Sequence, residues 1–230
     1  MAKSVAEGIR ERIKRSSDRF WSVSDFEGGP SAVKTELARL VKTGELQRVR
    51  RGVYWRGRHT RFGVAGAPPV QAVRELISDR EAVGAAGWYA TNLLGLSTQV
   101  SPEPVVAVTR RPPTGLKSIR VIDRSNRTGR REERLNETEV TVLEALEAWD
   151  RNVELDHATA LSSFVAILGR EEVRVDRLAR AASTESSRVR ERLRAVLTAG
   201  GWHDEAARIE GARSPSSRAR ARKVLAQGDI

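Results

Sequence analysis

Five of the thirteen residues from 46 to 58, LQRVRRGVYWRGR, are arginine. A guanidinium stays charged at any physiological pH, and its planar fork of donors matches phosphate oxygens. Such a run therefore addresses a polyanion, and Arg48, Arg50, Arg51 and Arg56 are the candidate contacts. A solvated surface is the alternative, although like charges crowded at one hairpin corner cost stability unless an anion offsets them. A second set stands upstream: Ser31, Lys34 and Thr35, with Arg39 one turn on. These side chains carry the donors and acceptors that read base edges in a major groove. A solvated helix face accounts for them as well, and an N-cap explains Ser31 fully.

Both sets need a scaffold. Val5, Ile9 and Ile13 fall at helical spacing and predict an amphipathic helix over 5–15. Phe20, Val23 and Phe26 anchor a short segment, 24–27, expected to form one helical turn capped by Ser24. The Gly28-Gly29-Pro30 break and a cap at Ser31 predict a third helix, with Val33, Leu37, Leu40 and Val41 inward and Gly44 at its end. The arginine-rich stretch then reads as two short strands around Arg50-Arg51-Gly52, with the glycine in the left-handed position. Helix, short helix, turn, helix and hairpin is the order of a winged helix-turn-helix, whose third helix enters the major groove while the wing touches phosphates. Of the adjacent pair Tyr54 and Trp55, alternation along a strand assigns at most one to the core, and the other is left to stack on unpaired bases in an RNA-binding reading.

The whole chain supports an anionic partner. Its 230 residues carry a formal net charge of +11. Residues 1–67 contain 15 basic and 7 acidic side chains, so most of that surplus lies there. An arginine-rich genome would raise the total without clustering it. With no cysteine, disulfides, thiolate metal sites and cysteine nucleophiles are excluded. No stretch approaches the ~18 apolar residues of a membrane span, so no membrane partner is expected and the cytoplasm is the expected location.

After GVAGAPP, which reads as a linker over 63–69, the texture changes. Helices are expected within 70–77 and 87–94, strands at 105–109 and 117–122, and a capping box of Asn136 with Glu139 opens a helix through Trp149. Asp156 caps another helix, and two more are expected over 176–182 and 185–199. The composition of SPSSRARARK is that of a flexible basic tail. The fold class is therefore α+β: a winged helix-turn-helix over 1–67, a mixed α/β, mostly helical second domain over 68–205, and a tail over 206–230.

Two segments resemble a known family. LARLVKTGELQRVRRGVYW resembles the end of the N-terminal winged helix of AbiEi-type antitoxins, and ATNLLGLSTQVSPEPVVAVT resembles the opening of that family's second domain. Asn92, Leu93, Leu94, Gly95, Leu96, Thr98 and Gln99 are the more specific part, and the similarity extends over most of residues 5–200. The resemblance implies an antitoxin that represses its own promoter as double-stranded DNA and counters a nucleotidyltransferase toxin through its C-terminal half. It makes Asn92, Gly95, Thr98 and Gln99 the marker residues of that half, although a capped helix end explains the four equally well.

Enzymatic readings find no footing. His59, His157 and His203 are scattered without ligand spacing, and GVAGAP lacks the Gly-Lys-Ser ending of a phosphate loop. A nucleotidyltransferase would need a Gly-Ser with spaced aspartates, which is missing. No cofactor and no metal are expected. The rival to DNA binding is an RNA- or ribosome-associated protein using the same basic wing.

Overall fold

The computed structural model describes residues 4–210, and the SPSSRARARK segment lies outside them. The chain is mixed α+β and divides into two compact units. The first comprises the described residues up to Leu76 together with Pro113–Lys117, and the second comprises Ile77–Pro112 and the described residues from Ser118 on.

In the first unit, α1 (Val5–Lys14) opens with a capping box in which Ser4 and Glu7 satisfy each other's backbone N–H. Strand β1 (Arg19–Ser22) follows, where no strand was expected. The anticipated second helix is a single 3-10 turn, Val23–Asp25. Its start is held by Ser22 rather than Ser24: the Asp25 carboxylate accepts from Ser22 N at 2.6 Å and from Ser22 Oγ at 3.0 Å. Then come α2 (Pro30–Lys42), β2 (Gln47–Arg50) and β3 (Val53–Arg56). Strand β3 lies between β1 and β2, antiparallel to both. Ile9 and Ile13 of α1, Val33, Leu37 and Leu40 of α2, and Trp21, Leu46 and Tyr54 form the core.

The expected linker is folded. Strands β4 (His59–Thr60) and β5 (Gly63–Val64) make a second small hairpin, and α3 (Pro69–Arg74) buries Val70, Ala72 and Val73. Trp55 Nε1 donates to Ala65 O at 2.9 Å, and Ala65 N donates to Arg58 O at 2.9 Å, so GVAGAPP is strapped onto the strands before it. The division of the chain accordingly falls after Leu76, not after residue 67, and Pro113–Lys117 returns to the first unit. The same strap corrects the expectation for the aromatic pair. Tyr54 and Trp55 do point to opposite faces, but both faces are covered, and the two residues are buried alike. Trp55 also packs on Phe20, with centroids 4.6 Å apart.

In the second unit, β6 (Val83–Ala86), β7 (Val105–Val108) and β8 (Arg120–Asp123) form a sheet in that order, around α4 (Gly87–Leu93) in sequence. Strands β6 and β7 are antiparallel, whereas β7 and β8 are parallel. Helices α5 (Thr128–Glu132) and α6 (Glu137–Asn152) follow, the latter carrying the expected Asn136–Glu139 capping box. Helix α6 lies directly on β6. A Cβ at Gly84 would fall 2.7 Å from Val140 and 2.8 Å from the Thr141 backbone nitrogen, and Ala85 N donates to Thr141 Oγ1 at 3.0 Å. Helices α7 (His157–Leu168), α8 (Val175–Ala181), α9 (Ser187–Ala199) and α10 (His203–Arg208) complete the unit. Asp156 caps α7 as expected. A tail was expected from residue 206, but Ala206 and Ile209 are buried and extend the core to the end of α10. Among the described residues no helix is long and apolar enough to cross a membrane.

Candidate nucleic-acid interface

Helix α2 has two sharply different faces. Val33, Glu36, Leu37 and Leu40 are buried, whereas Ser31, Lys34, Thr35, Ala38 and Lys42 are exposed. The exposed five follow i, i+3, i+4, i+7, i+11 spacing, so they form one continuous stripe along the helix. It contains no acidic residue. Ser31 does not cap the helix. Gly29 is the N-cap and Pro30 the first helical residue, as suits a residue without an N–H. The Ser31 hydroxyl is thereby released to the stripe. Thr35 Oγ1 donates back to Ser31 O at 3.0 Å, which ties its hydroxyl to the helix backbone. Ala38 and Lys42 were not singled out in the sequence, although the same spacing selects them.

Arg39 leaves the candidate set for a structural reason. Its guanidinium grips Glu36 at 2.7 and 3.0 Å, and Arg10 Nε reaches the same carboxylate at 2.8 Å. The Arg39 hydrogen bonds, joined by those of Arg10, outweigh burial and hold the Glu36 carboxyl below its usual range. Arg39 is thus engaged within α2, and Arg10 fastens α2 to α1 through the same carboxylate.

The arginines of the β2–β3 hairpin separate by face. Arg48 stands opposite Tyr54 in the β2–β3 ladder, hence on the side of the sheet that packs against α1 and α2. The register then shifts between Arg48 and Arg50, a bulge that sets Arg50 opposite Val53. Arg50 consequently points to the other face and is half-buried, and a Cβ at Gly115 would lie 3.7 Å from its Cγ. Arg51 is exposed in the turn, beside Gly52 at φ +87°. Arg48 and Arg51 are open to a polyanion, and Arg50 less so.

Arg56 turns inward. It is 9% exposed, donates to Glu45 O at 3.1 Å and lies 3.1 Å from His59 Nε2. In the ladder it stands opposite Arg19 of β1. The guanidinium ties α2's exit loop to the second hairpin and is withdrawn from any DNA surface.

In the second unit, Asn92, Gly95, Thr98 and Gln99 build one loop at the end of α4. Gly95 adopts φ +74°, and Asn92 Nδ2 donates to Ser97 O at 3.3 Å. The Glu154 carboxylate accepts from Thr98 N at 2.8 Å, Ser97 Oγ at 2.8 Å and Thr98 Oγ1 at 3.2 Å, while Gln99 N donates to Ser97 Oγ. The Thr98 backbone bond, aided by the Ser97 hydroxyl, keeps Glu154 below the ordinary carboxylate range. The four marker residues are therefore brought together, as a capped helix end pinned by a glutamate that the sequence did not flag. Leu93 and Val100, flanking the loop, are exposed.

The histidines do not converge: His59 contacts Arg56, and His157 packs on Trp149 at 5.5 Å. No group of three His, Cys, Asp or Glu with metal-holding geometry occurs among the described residues.

Comparison with known proteins is sparse. No curated protein matches the chain. The crystal structure of RV2827C protein from Mycobacterium tuberculosis matches at 14% identity and a TM-score of 0.49, covering 100% of this chain and 83% of that one. Residues 8–152 match the model of DUF6088, a family of unknown function, and the chain belongs to that family.

Proposed function

We propose that the chain is a DNA-binding autorepressor of the cytoplasm that also acts as an AbiEi-type antitoxin. The observation carrying the DNA half is the acid-free stripe Ser31, Lys34, Thr35, Ala38 and Lys42 on α2, with Arg48 on the same side of the adjoining sheet. The order α1, β1, 3-10 turn, α2, β2, β3 is read as a winged helix in which the turn replaces the second helix. Helix α2 then seats in the major groove, where lysine and threonine meet base edges and Ala38 allows close approach to a thymine methyl. Arg48 and Arg51 neutralise flanking phosphates.

The RNA-binding alternative uses the same basic hairpin, and burial of Tyr54 and Trp55 removes those two rings as stacking platforms for it. The antitoxin half is supported by the resemblance at Asn92 to Gln99 and by a second unit with its own core. A mobility-shift titration of the full chain on the duplex upstream of its own gene tests the reading. Binding should exceed that to a shuffled duplex of equal length, and equal affinity for the two would refute it.

A further inference from the structure

The second hairpin presents a feature that the α2 stripe and the wing do not use. Strands β4 and β5 pair His59 with Val64 and Thr60 with Gly63, leaving Arg61 and Phe62 as the two-residue tip. Phe62 is 85% exposed. Single exposed apolar residues are ordinary on protein surfaces, but this one is held out by a braced turn. Thr60 Oγ1 donates to Gly63 O at 2.8 Å and accepts from Phe62 N at 3.2 Å, and Gly63 sits at φ +113°. The base of the hairpin is fastened by the Ala65 bonds to Arg58 and Trp55. The ordering entropy of the tip is thus met on folding rather than on binding.

The surroundings are cationic. The Arg61 guanidinium carbon lies 4.6 Å from the Phe62 centroid, covering one ring face and leaving the other open. Arg58 and His59 are exposed beside it, and Asp18, 3.8 Å from Arg58, is the acidic partner there. Phe62 stands ten positions after Gly52, so the two hairpin tips lie at most about 36 Å apart, within one turn of duplex.

We infer that Phe62 is an apolar wedge that inserts between base pairs of duplex DNA, with Arg61 and Arg58 on the adjacent phosphates. This rests on the DNA-binding reading above. Apolar side chains on basic hairpins and arms act in this way: they unstack one step and kink the duplex. The chemistry selects a flexible pyrimidine–purine step, which is the easiest to open.

The test uses the full chain and its own upstream duplex, with 2-aminopurine substituted in turn at each adenine. Wild type should raise the fluorescence severalfold at one step. Phe62→Ala should abolish that rise and weaken binding about tenfold, whereas Phe62→Leu should retain it. Because the ring is exposed, neither change disturbs the core. Binding without a rise, or a rise that persists in Phe62→Ala, overturns the wedge while leaving the DNA reading intact. Absence of any duplex binding by wild type overturns both. A Phe62-dependent signal as large on the unpaired strand overturns insertion in favour of single-strand stacking.

Discussion

Arg130 and Glu185 meet in a two-pronged contact, Nε to Oε1 at 2.6 Å and Nη2 to Oε2 at 2.9 Å, with 1% and 0% of their side chains exposed. Arg130 also donates to Glu144 at 2.7 Å, and Arg124 grips Glu144 from its other side at 2.8 and 3.0 Å. This chain of charges joins α5, α6 and the entrance of α9 inside the second unit. Removing one partner of a buried pair leaves the other charge uncompensated, which costs about 3–5 kcal/mol. Glu185→Gln should therefore lower the urea midpoint sharply. A double change, Arg130→Met with Glu185→Leu, should recover part of that stability, because neither charge then remains. Equal stability of Glu185→Gln and wild type would show that water reaches the pair.

Glu144 makes the same network sensitive to acid. Burial, the largest influence, raises its carboxyl, but Arg130 and Arg124 together outweigh it, and the net shift is downward. A carboxyl lower in the folded than in the unfolded state contributes stability that is complete above its unfolded value and is lost as the pH falls through the folded one. Stability should thus hold near neutrality and decline below the ordinary value of 4.5. Denaturation midpoints followed from neutral pH into acid check this. Glu144→Gln should be less stable at neutral pH and should show a shallower acid decline, and an unchanged slope would remove Glu144 as the sensor.

How much of this was legible beforehand depended on whether a residue's fate was local. The caps of α6 and α7, the apolar stripe of α2 and the left-handed Gly52 are decided within a few residues, and the sequence displays them. Strand β6, VGAA, is buried throughout, so it has no alternation to read, and its small residues serve the approach of α6 rather than strand propensity. Arg56 and Arg50 looked like Arg48 because charge density says nothing about direction. One bulge turned Arg50 over, the strapped segment covered Trp55, and Arg56 turned in to Glu45 and His59. The parallel pairing of β7 and β8 is likewise a long-range fact, with residues between them belonging to the other unit.

The division among the arginines of the β2–β3 hairpin gives the third prediction. Removing one cation from a phosphate should reduce the slope of log K against log salt by about 0.9. Arg48→Ala and Arg51→Ala should each produce that change in salt titrations on any duplex. Arg50→Ala should produce a smaller one, and Arg56→Ala should leave the slope intact while lowering the melting temperature. Equal slopes for wild type and Arg48→Ala would remove the wing from the interface.

Sequence choice should reside in α2. Lys34→Ala and Thr35→Ala are expected to lose roughly 1–3 kcal/mol each in preference for the native promoter over a shuffled duplex, while nonspecific affinity persists. Arg39→Ala should instead loosen the Glu36 anchor and act on stability. Parallel losses on both duplexes would mean that the stripe does not read bases.

The last prediction separates the two proposed activities within the intact chain. If the first unit binds the promoter as proposed, the second unit, with its own core and charge network, calls for a separate role. If that role is relief of toxicity, a chain carrying Arg48→Ala, Arg51→Ala and Lys34→Ala should still protect cells from the nucleotidyltransferase toxin while derepressing a promoter reporter. Conversely, Glu154→Ala removes the carboxylate that pins Ser97 and Thr98, and so loosens the loop bearing Asn92, Gly95 and Gln99. Its side chain lies at that loop and outside the first unit, so on the proposed reading repression should survive and protection should fall. Survival counts and reporter output, measured on the same variants at matched protein levels, decide the matter. Protection that disappears together with repression in the triple variant, or untouched protection in Glu154→Ala, would show that the loop does not carry the antitoxin activity.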